Sequence, residues 1–404
     1  MTNSIPDPLN VKAFGAVGDN SADDTAAFQA AIDAAAPLSK AVAIPRGRFK
    51  VTGSLALWGG NSVNTFVGAN EYLTAGSGAN LQSSIRYTGT GPLFVGKVAG
   101  TASAPTQTRV NMDRVAAYAD NPSAILFDFL NLQWSRIDRC WFRNFGYGIK
   151  GKLSLATRIK DSFFINFHVS AVSNRAVTGS AQSVDDSWIE GNYISGSPES
   201  NETILIDIYY PNLLTIQRNF IDFGIIGARL ESGVSFSFVG NQVDYCPTGL
   251  QLKAANGWGV SGNRFTHINK THSDFWTAPT TEMQNDNWKC IELLLGTKNG
   301  VFSANVASGP DRFFVMPEST YSNIQEYGSI ASGYDGPIVD MSERTVGEAP
   351  DGERLYFSSM EMVDVDELPA APTASYDGHN VYYNHALVRN MGGVWRDATG
   401  TEVT

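Results

Sequence analysis

A degenerate repeat of about twenty-two residues constrains this chain more than any other feature. Seven segments can be laid over one another, beginning at Ile137, Ile159, Val184, Ile216, Phe238, Val260 and Phe302, at steps of 22, 25, 32, 22, 22 and 42. The recurrent step suits three short strands and their turns, which is one coil of a solenoid. The long steps predict insertions of roughly ten and twenty residues, near 194–203 and 270–288. At the fourth position stand Cys140, Ser162, Ser187, Asn219, Asn241, Asn263 and Asn305, an expected inward amide ladder. Strand alternation then sends Phe142, Phe164, Ile189, Ile221, Val243 and Phe265 into the core.

A solenoid also explains how 404 residues can share one core, since each coil touches only its neighbours. With 39 glycines and only 17% charged residues, the composition suits many short strands and tight turns. The net charge of −11 argues against nucleic acid, which needs a basic footprint. No apolar run approaches the roughly 20 residues of a membrane span. Cys140, Cys246 and Cys290 have neither metal-ligand nor disulfide spacing and read as buried fillers. No cofactor or metal is expected.

At the N-terminus, Ser21 to Asp24 has capping-box spacing, with Asp23 or Asp24 as the cap. Phe28, Ala31, Ile32 and Ala35 then form a helical stripe. Strands are expected at Val11–Phe14, Ala41–Pro45 and Phe49–Val51. Together, Phe14-Gly15-Ala16, Gly18-Asp19, Asp23-Asp24-Thr25 and Pro45-Arg46-Gly47 resemble the opening of the pectate-lyase-superfamily β-helix proteins, a group that includes phage tailspikes and depolymerases. Asn20 stands where glycine is usual, and the glycine pair before the Pro-x-Gly strand is absent. The resemblance implies an all-β, right-handed, single-stranded parallel β-helix with an N-terminal capping helix and a small C-terminal β module. The expected divisions are 1–40, 41–345 and 346–404. It makes the motif acids structural, since a helix can cover a solenoid's open end. With Met1 to Asn10 lacking a signal pattern, it also implies a virion tail or extracellular setting and a homotrimer.

The outward positions carry the candidate chemistry. One column reads Trp141, Phe163, Trp188, Phe220, Gln242 and Arg264, and its neighbour Arg143, Ile165, Glu190, Asp222, Asp244 and Thr266. Aromatic rings on a solvent face can stack on sugar rings, or lie under a loop or another subunit. Asp222, Asp244 and Glu190 are the catalytic candidates, because stacked carboxylates drive their pKa values apart as glycosidic hydrolysis requires. A solvated acidic stripe is the bland alternative. Asp207 and Arg229, from a column Asp128, Lys150, Ser173, Asp207, Arg229, Gln251 and Glu292, join the aromatics, Arg143, His267 and the loop residue Trp276 as binding candidates.

Asp185-Asp186 resembles the paired aspartates of polygalacturonases, but no Gly-His-Gly or Arg-x-Lys follows it, and the Arg-x-Pro-x-x-Arg of pectate lyases is missing. The expected activity is therefore an endo-acting glycoside hydrolase on an extracellular or bacterial surface polysaccharide. One alternative is a lyase using His267 or Tyr245 as base; another is a non-catalytic glycan-binding or structural solenoid. The Pro-rich stretch 368–373 reads as a connector to a small antiparallel set between 380 and 396.

Overall fold

The computed structural model describes residues 7–60, 62–70, 83–96, 107–175, 184–276, 288–294, 296–315 and 322–332, and six short strands between 339 and 396. The chain winds as a right-handed parallel β-helix. Each coil contributes one strand to each of three parallel sheets. In a representative coil, Thr215–Gln217 lies in the first sheet, Phe220–Asp222 in the second and Ile226–Glu231 in the third. Their counterparts one coil on are Val234–Val239, Gln242–Asp244 and Thr248–Lys253, all paired in parallel.

The corner from first to second sheet takes two residues, and its chemistry repeats. Arg139, Asp161, Gly191, Arg218, Gly240, Gly262 and Ala304 all adopt the left-handed conformation, with φ between 47° and 66°. The residue after each turns inward: Cys140, Ser162, Asn192, Asn219, Asn241, Asn263 and Asn305, all buried. Asn219 accepts from the backbone N–H of Asn192 at 3.0 Å, and Asn241 and Asn263 accept from Asn219 and Asn241 at 3.0 and 2.9 Å. From Asn192 to Asn263 each amide nitrogen donates to the next oxygen along and to a carbonyl of the previous coil; Asn241, for example, donates to Asn263 and to Ile216. The ladder thus satisfies backbone groups that a tight corner would orphan in the core.

One coil differs from the expected register. Ile159 pairs with Ile189, and Ile189 with Ile216, so the matching segment is Ile189 to Ile194. The steps become 22, 30, 27, 22, 22 and 42, and Asn192 takes the ladder place assigned to Ser187. The Val184 segment belongs to the corner from third to first sheet. There, Val184–Asp185 pairs with Pro211–Asn212, Asp186 is left-handed at φ 48°, and the Ser187 hydroxyl accepts from the Thr157 N–H. Both corners use a left-handed residue followed by a small polar one, which is why one imitates the other. Ile189 is still buried, but in the first sheet; Ile194 fills the second-sheet position.

The N-terminal helix spans Thr25–Ala35 and buries Phe28, Ala31, Ile32 and Ala35, with Phe28 edge-on to Phe49 at 5.5 Å. Asp23 accepts from the Thr25 N–H, whereas Asp24 is buried and binds the N–H groups of Val17 and Gly18. Gly18 is required there: at φ 73°, a Cβ would meet the Phe49 ring at 2.6 Å. Val11–Phe14, an expected strand, is a short 3-10 turn capped by the Asn10 side chain. The first sheet runs on to Leu355–Phe357. Farther on, Asn380–Tyr383, Ala386–Met391 and Val394–Arg396 pair antiparallel, and Asp364–Val365 joins in parallel. The connector at 368–373 lies outside the described residues.

Candidate active site

Strand alternation in the second sheet sends Ile221, Val243 and Phe265 inward and the residues on either side of each outward. One outward column is Ser195, Asp222, Asp244 and Thr266, in register on four successive rungs. All four are at most 7% exposed. The acids are therefore sheltered, not displayed on an open face as the alternation alone suggested. Rungs lie about 4.8 Å apart, so neighbouring carboxylates sit near the separation of about 5 Å used by retaining glycosidases.

The two acids have different surroundings. The Tyr193 hydroxyl donates to Asp222 Oδ2 at 2.9 Å, while Oδ1 is buried without a hydrogen-bond partner. Burial pushes the Asp222 carboxyl up to about 6; the Ser195 and Tyr193 hydroxyls pull against this and the Asp244 charge adds to it. Asp244 Oδ1 instead meets His267 Nδ1 at 2.6 Å, with the His267 side chain 45% exposed. The Thr266 hydroxyl on the next rung is buried without a partner.

Aromatic rings line both sides of the acids. Phe163, Tyr193 and Phe220 occupy successive rungs, Tyr193 lying parallel to Phe220 at 5.3 Å and 9°. At the corner leading to the third sheet, Phe223, Tyr245 and His267 are all left-handed, which aligns their rings. Phe223 stacks on Tyr245 at 5.0 Å and Tyr245 on His267 at 4.5 Å. His272 stands edge-on to both Tyr245 and His267, and burial followed by the His267 charge holds its pKa below the ordinary histidine value.

The insertions enter at this same corner. Between second and third sheet the short coils use Phe223 to Ile225 or Tyr245 to Pro247, whereas the long ones use 197–203 and 267–288. Tyr193–Gly196 is itself a strand, so the first insertion is confined to the residues after it. Ser200 and Thr203 tie that loop to the His168 carbonyl. Residues 277–287 of the second insertion, including Glu282, lie outside the described residues.

Several expected site residues are placed elsewhere. Glu190 projects from the first sheet between Lys160 and Gln217. A hydrogen bond from Gln217, with Lys160 and Arg218 nearby, holds its carboxyl below the usual range, which unsuits it to share a proton with Asp222. Trp188 is also on the first sheet, beneath the Arg158 guanidinium at 4.6 Å; Tyr193 takes its place in the aromatic column. Trp141 has the expected register but is 2% exposed, so it is no sugar platform. Trp276 is buried against Trp288 and Phe223, and anchors its loop. Asp207 and Arg229 lie on the third sheet, bonded to each other at 2.9 and 2.8 Å, with Arg175 bridging Asp207 and Glu231. That ion-pair network withdraws them from ligand recognition. Arg143 is exposed on the second sheet, two rungs before Tyr193.

Sequence reading missed Tyr193 and Ser195 as members of the cluster. The signal was present, since Gly191-Asn192 repeats at Gly240-Asn241 and Gly262-Asn263. Phe223 and His272 also went unassigned, because a corner residue and a loop histidine declare no partner before the register is known. Among the described residues, no three His, Cys, Asp or Glu side chains converge as a metal-binding group, and no helix is long and apolar enough to cross a membrane.

A family model described as rhamnogalacturonase A/epimerase, pectate lyase-like, matches residues 9–272. A mannuronan C5-epimerase of Azotobacter vinelandii is 58% identical over 46 residues, which is 11% of this chain and 2% of the epimerase; the match therefore spans a small fraction of that relative. Among solved structures, DFA-IIIase from Arthrobacter chlorophenolicus A6 superposes with a TM-score of 0.62 at 12% identity, covering 91% of this chain and 99% of that one. Tailspike protein 2 of Escherichia coli O157:H7 bacteriophage CAB120 gives 0.57 at 12% identity, covering 94% and 50%. The Streptococcus pneumoniae surface adhesin PfbA gives 0.53 at 16% identity, covering 87% and 99%. At these identities the structural likeness establishes the fold alone.

Proposed function

Because the chain belongs to the rhamnogalacturonase A/epimerase, pectate lyase-like family, we propose that it cleaves a polysaccharide by hydrolysis at Asp222 and Asp244. The observation that carries this reading is the asymmetry of two carboxyls on adjacent rungs. Asp222, lifted to about 6, holds the proton that a glycosidic oxygen needs on departure. Asp244, oriented by His267, is the partner that attacks or stabilises the anomeric carbon. Phe163, Tyr193 and Phe220 supply the sugar-stacking floor.

The pH profile tests the assignment. A general acid works only while protonated, so kcat/KM should fall about tenfold per unit as pH rises above about 6. A rate that instead increases through that range assigns Asp222 the role of base.

A second reading rests on His267. With Nδ1 on Asp244 and its ring half-exposed, it has the orientation of a base for β-elimination on a uronate, with Tyr245 stacked beside it. Product analysis separates the two: elimination leaves an unsaturated, UV-absorbing sugar end, and hydrolysis does not.

The working state under this reading is a homotrimer in a virion tail or extracellular setting. Tyr210, Leu213 and Val234, 41–56% exposed, lie at the corner between third and first sheets, with Trp134 at the same corner three rungs before. They offer an apolar ridge for subunit contact. Sedimentation at micromolar concentration should give three times the chain mass; a monomer removes the trimer.

A further inference from the structure

We infer that the stretch of glycan lying over Asp222 and Asp244 is uncharged, so that the substrate is a neutral polysaccharide and not a polyuronide. The inference rests on the polysaccharide-cleaving reading above and narrows it. With Asp222 holding its proton, the floor carries the Asp244 charge, and the acids of the two insertions that enter at the adjoining corner add to its sign. In the first insertion Glu199 and Glu202 are exposed, and residues 196–203 contain no Lys or Arg. In the second, Asp274 is exposed, and Lys270 is the one Lys or Arg across 267–288, which also holds His267 and His272.

Cations that could offset this are placed elsewhere. Arg175, Arg229, Lys253 and Lys289 are committed to Asp207, Glu231 and Glu292 on the third sheet. Of the second-sheet arginines, Arg264 is exposed one rung past Gln242, and Arg143 lies two rungs before Tyr193. Arg264 and Lys270 do not reverse the sign of a site where Asp244 stands with Glu199, Glu202 and Asp274 of the adjoining insertions. Uronates entering such a site meet like charge, and like-charge contact rejects a ligand more sharply than a missing contact does. A neutral chain avoids that cost and still gains from the Phe163, Tyr193 and Phe220 rings. It also has no carboxylate to acidify the proton that elimination removes, so the inference favours hydrolysis over the lyase reading.

The test uses the full chain with matched pairs: polygalacturonate, alginate and hyaluronan, each beside its carboxyl-reduced, uncharged form. Binding is read by affinity electrophoresis and cleavage by chain length. At least one reduced form should bind, and its native counterpart at least about tenfold more weakly at about 20 mM NaCl. That gap should shrink at about 0.5 M, where the Debye length falls to a few ångströms. The wall variant Glu199→Gln/Glu202→Gln/Asp274→Asn should narrow the gap without altering affinity for the reduced form. A native polyuronide bound or cut better than its reduced form overturns the inference, as does retention of neither member of any pair. If that polyuronide yields saturated products, the hydrolytic reading survives; an unsaturated end removes both.

Discussion

Asp222→Asn should lower turnover about a hundredfold or more and, at pH 8, make the protein more stable than the wild type. Both effects follow from one proton. The folded state holds the Asp222 carboxyl up at about 6, above the ordinary value of 3.8. A carboxyl raised on folding contributes its full stability below the unfolded pKa and loses it as pH rises through the folded one. By pH 8 the wild type has lost on the order of 2–3 kcal/mol, at about 1.4 kcal/mol per unit. Asparagine has no proton to lose. Its oxygen can accept from Tyr193, and its amide takes the place of the buried, unpartnered Oδ1, beside Ser195 and the Asp244 carboxylate. Urea unfolding of both proteins at pH 4 and pH 8 should therefore show a stability gap at pH 8 and almost none at pH 4. A variant less stable than the wild type at both values means that Asp222 is an ionised structural acid. Near-full activity means that it is not the acid catalyst.

Asp222 and Asp244 were legible as a pair because they lie where the chain repeats without interruption, in the steps from Ile216 to Phe238 to Val260. There, alternation alone fixes which residues leave the core. What alternation cannot give is cover. The sequence suggested acids on an open face, whereas the folded chain encloses them with rings from its own coils and corner. The third-sheet column from Asp128 to Glu292 was read in correct register, but that Asp207 and Arg229 neutralise each other depends on rotamers and on Arg175, which comes from the neighbouring coil.

Glu190 and Trp188 were misplaced for a different reason. The coil that holds them carries extra residues on both sides, before Ile189 and after Gly196, so no fixed step identifies its start. Val184-Asp185-Asp186-Ser187 then offered a convincing decoy, because the third-to-first corner needs the same left-handed residue and small polar side chain. Gly191-Asn192 was the better guide. Glycine is at ease at φ 66°, and asparagine, unlike serine, both accepts from the backbone of one coil and donates to the next. Trp276 marks a related limit: a tryptophan in a polar loop reads equally as platform or anchor until its burial is known.

Asn241→Ala should destabilise the middle coils by about 4 kcal/mol, the largest single loss expected from a residue outside the acid pair. The Asn241 oxygen accepts from the backbone N–H and the side-chain amide of Asn219, and its nitrogen donates to Asn263 and to the Ile216 carbonyl. Truncation strands several of these groups where water does not reach, each at about 1–3 kcal/mol before relaxation. Asn241→Asp is the sharper variant. It keeps the acceptor for Asn219 but turns the donor into a second oxygen facing the Asn263 oxygen and the Ile216 carbonyl, so its stability should fall further as the buried acid ionises with rising pH. Because each coil leans only on its neighbours, the loss should appear first as faster hydrogen exchange at Asn219 and the adjoining strands, with the N-terminal coils protected. The register makes a further demand. Asn192→Ala should cost nearly as much as Asn241→Ala, since it sits on the same ladder. Ser187→Ala should cost about 1–2 kcal/mol, since it releases only the Thr157 N–H and the Asp185 carbonyl. If Ser187→Ala is the more damaging of those two, the continuous asparagine ladder is not what holds the coils in step.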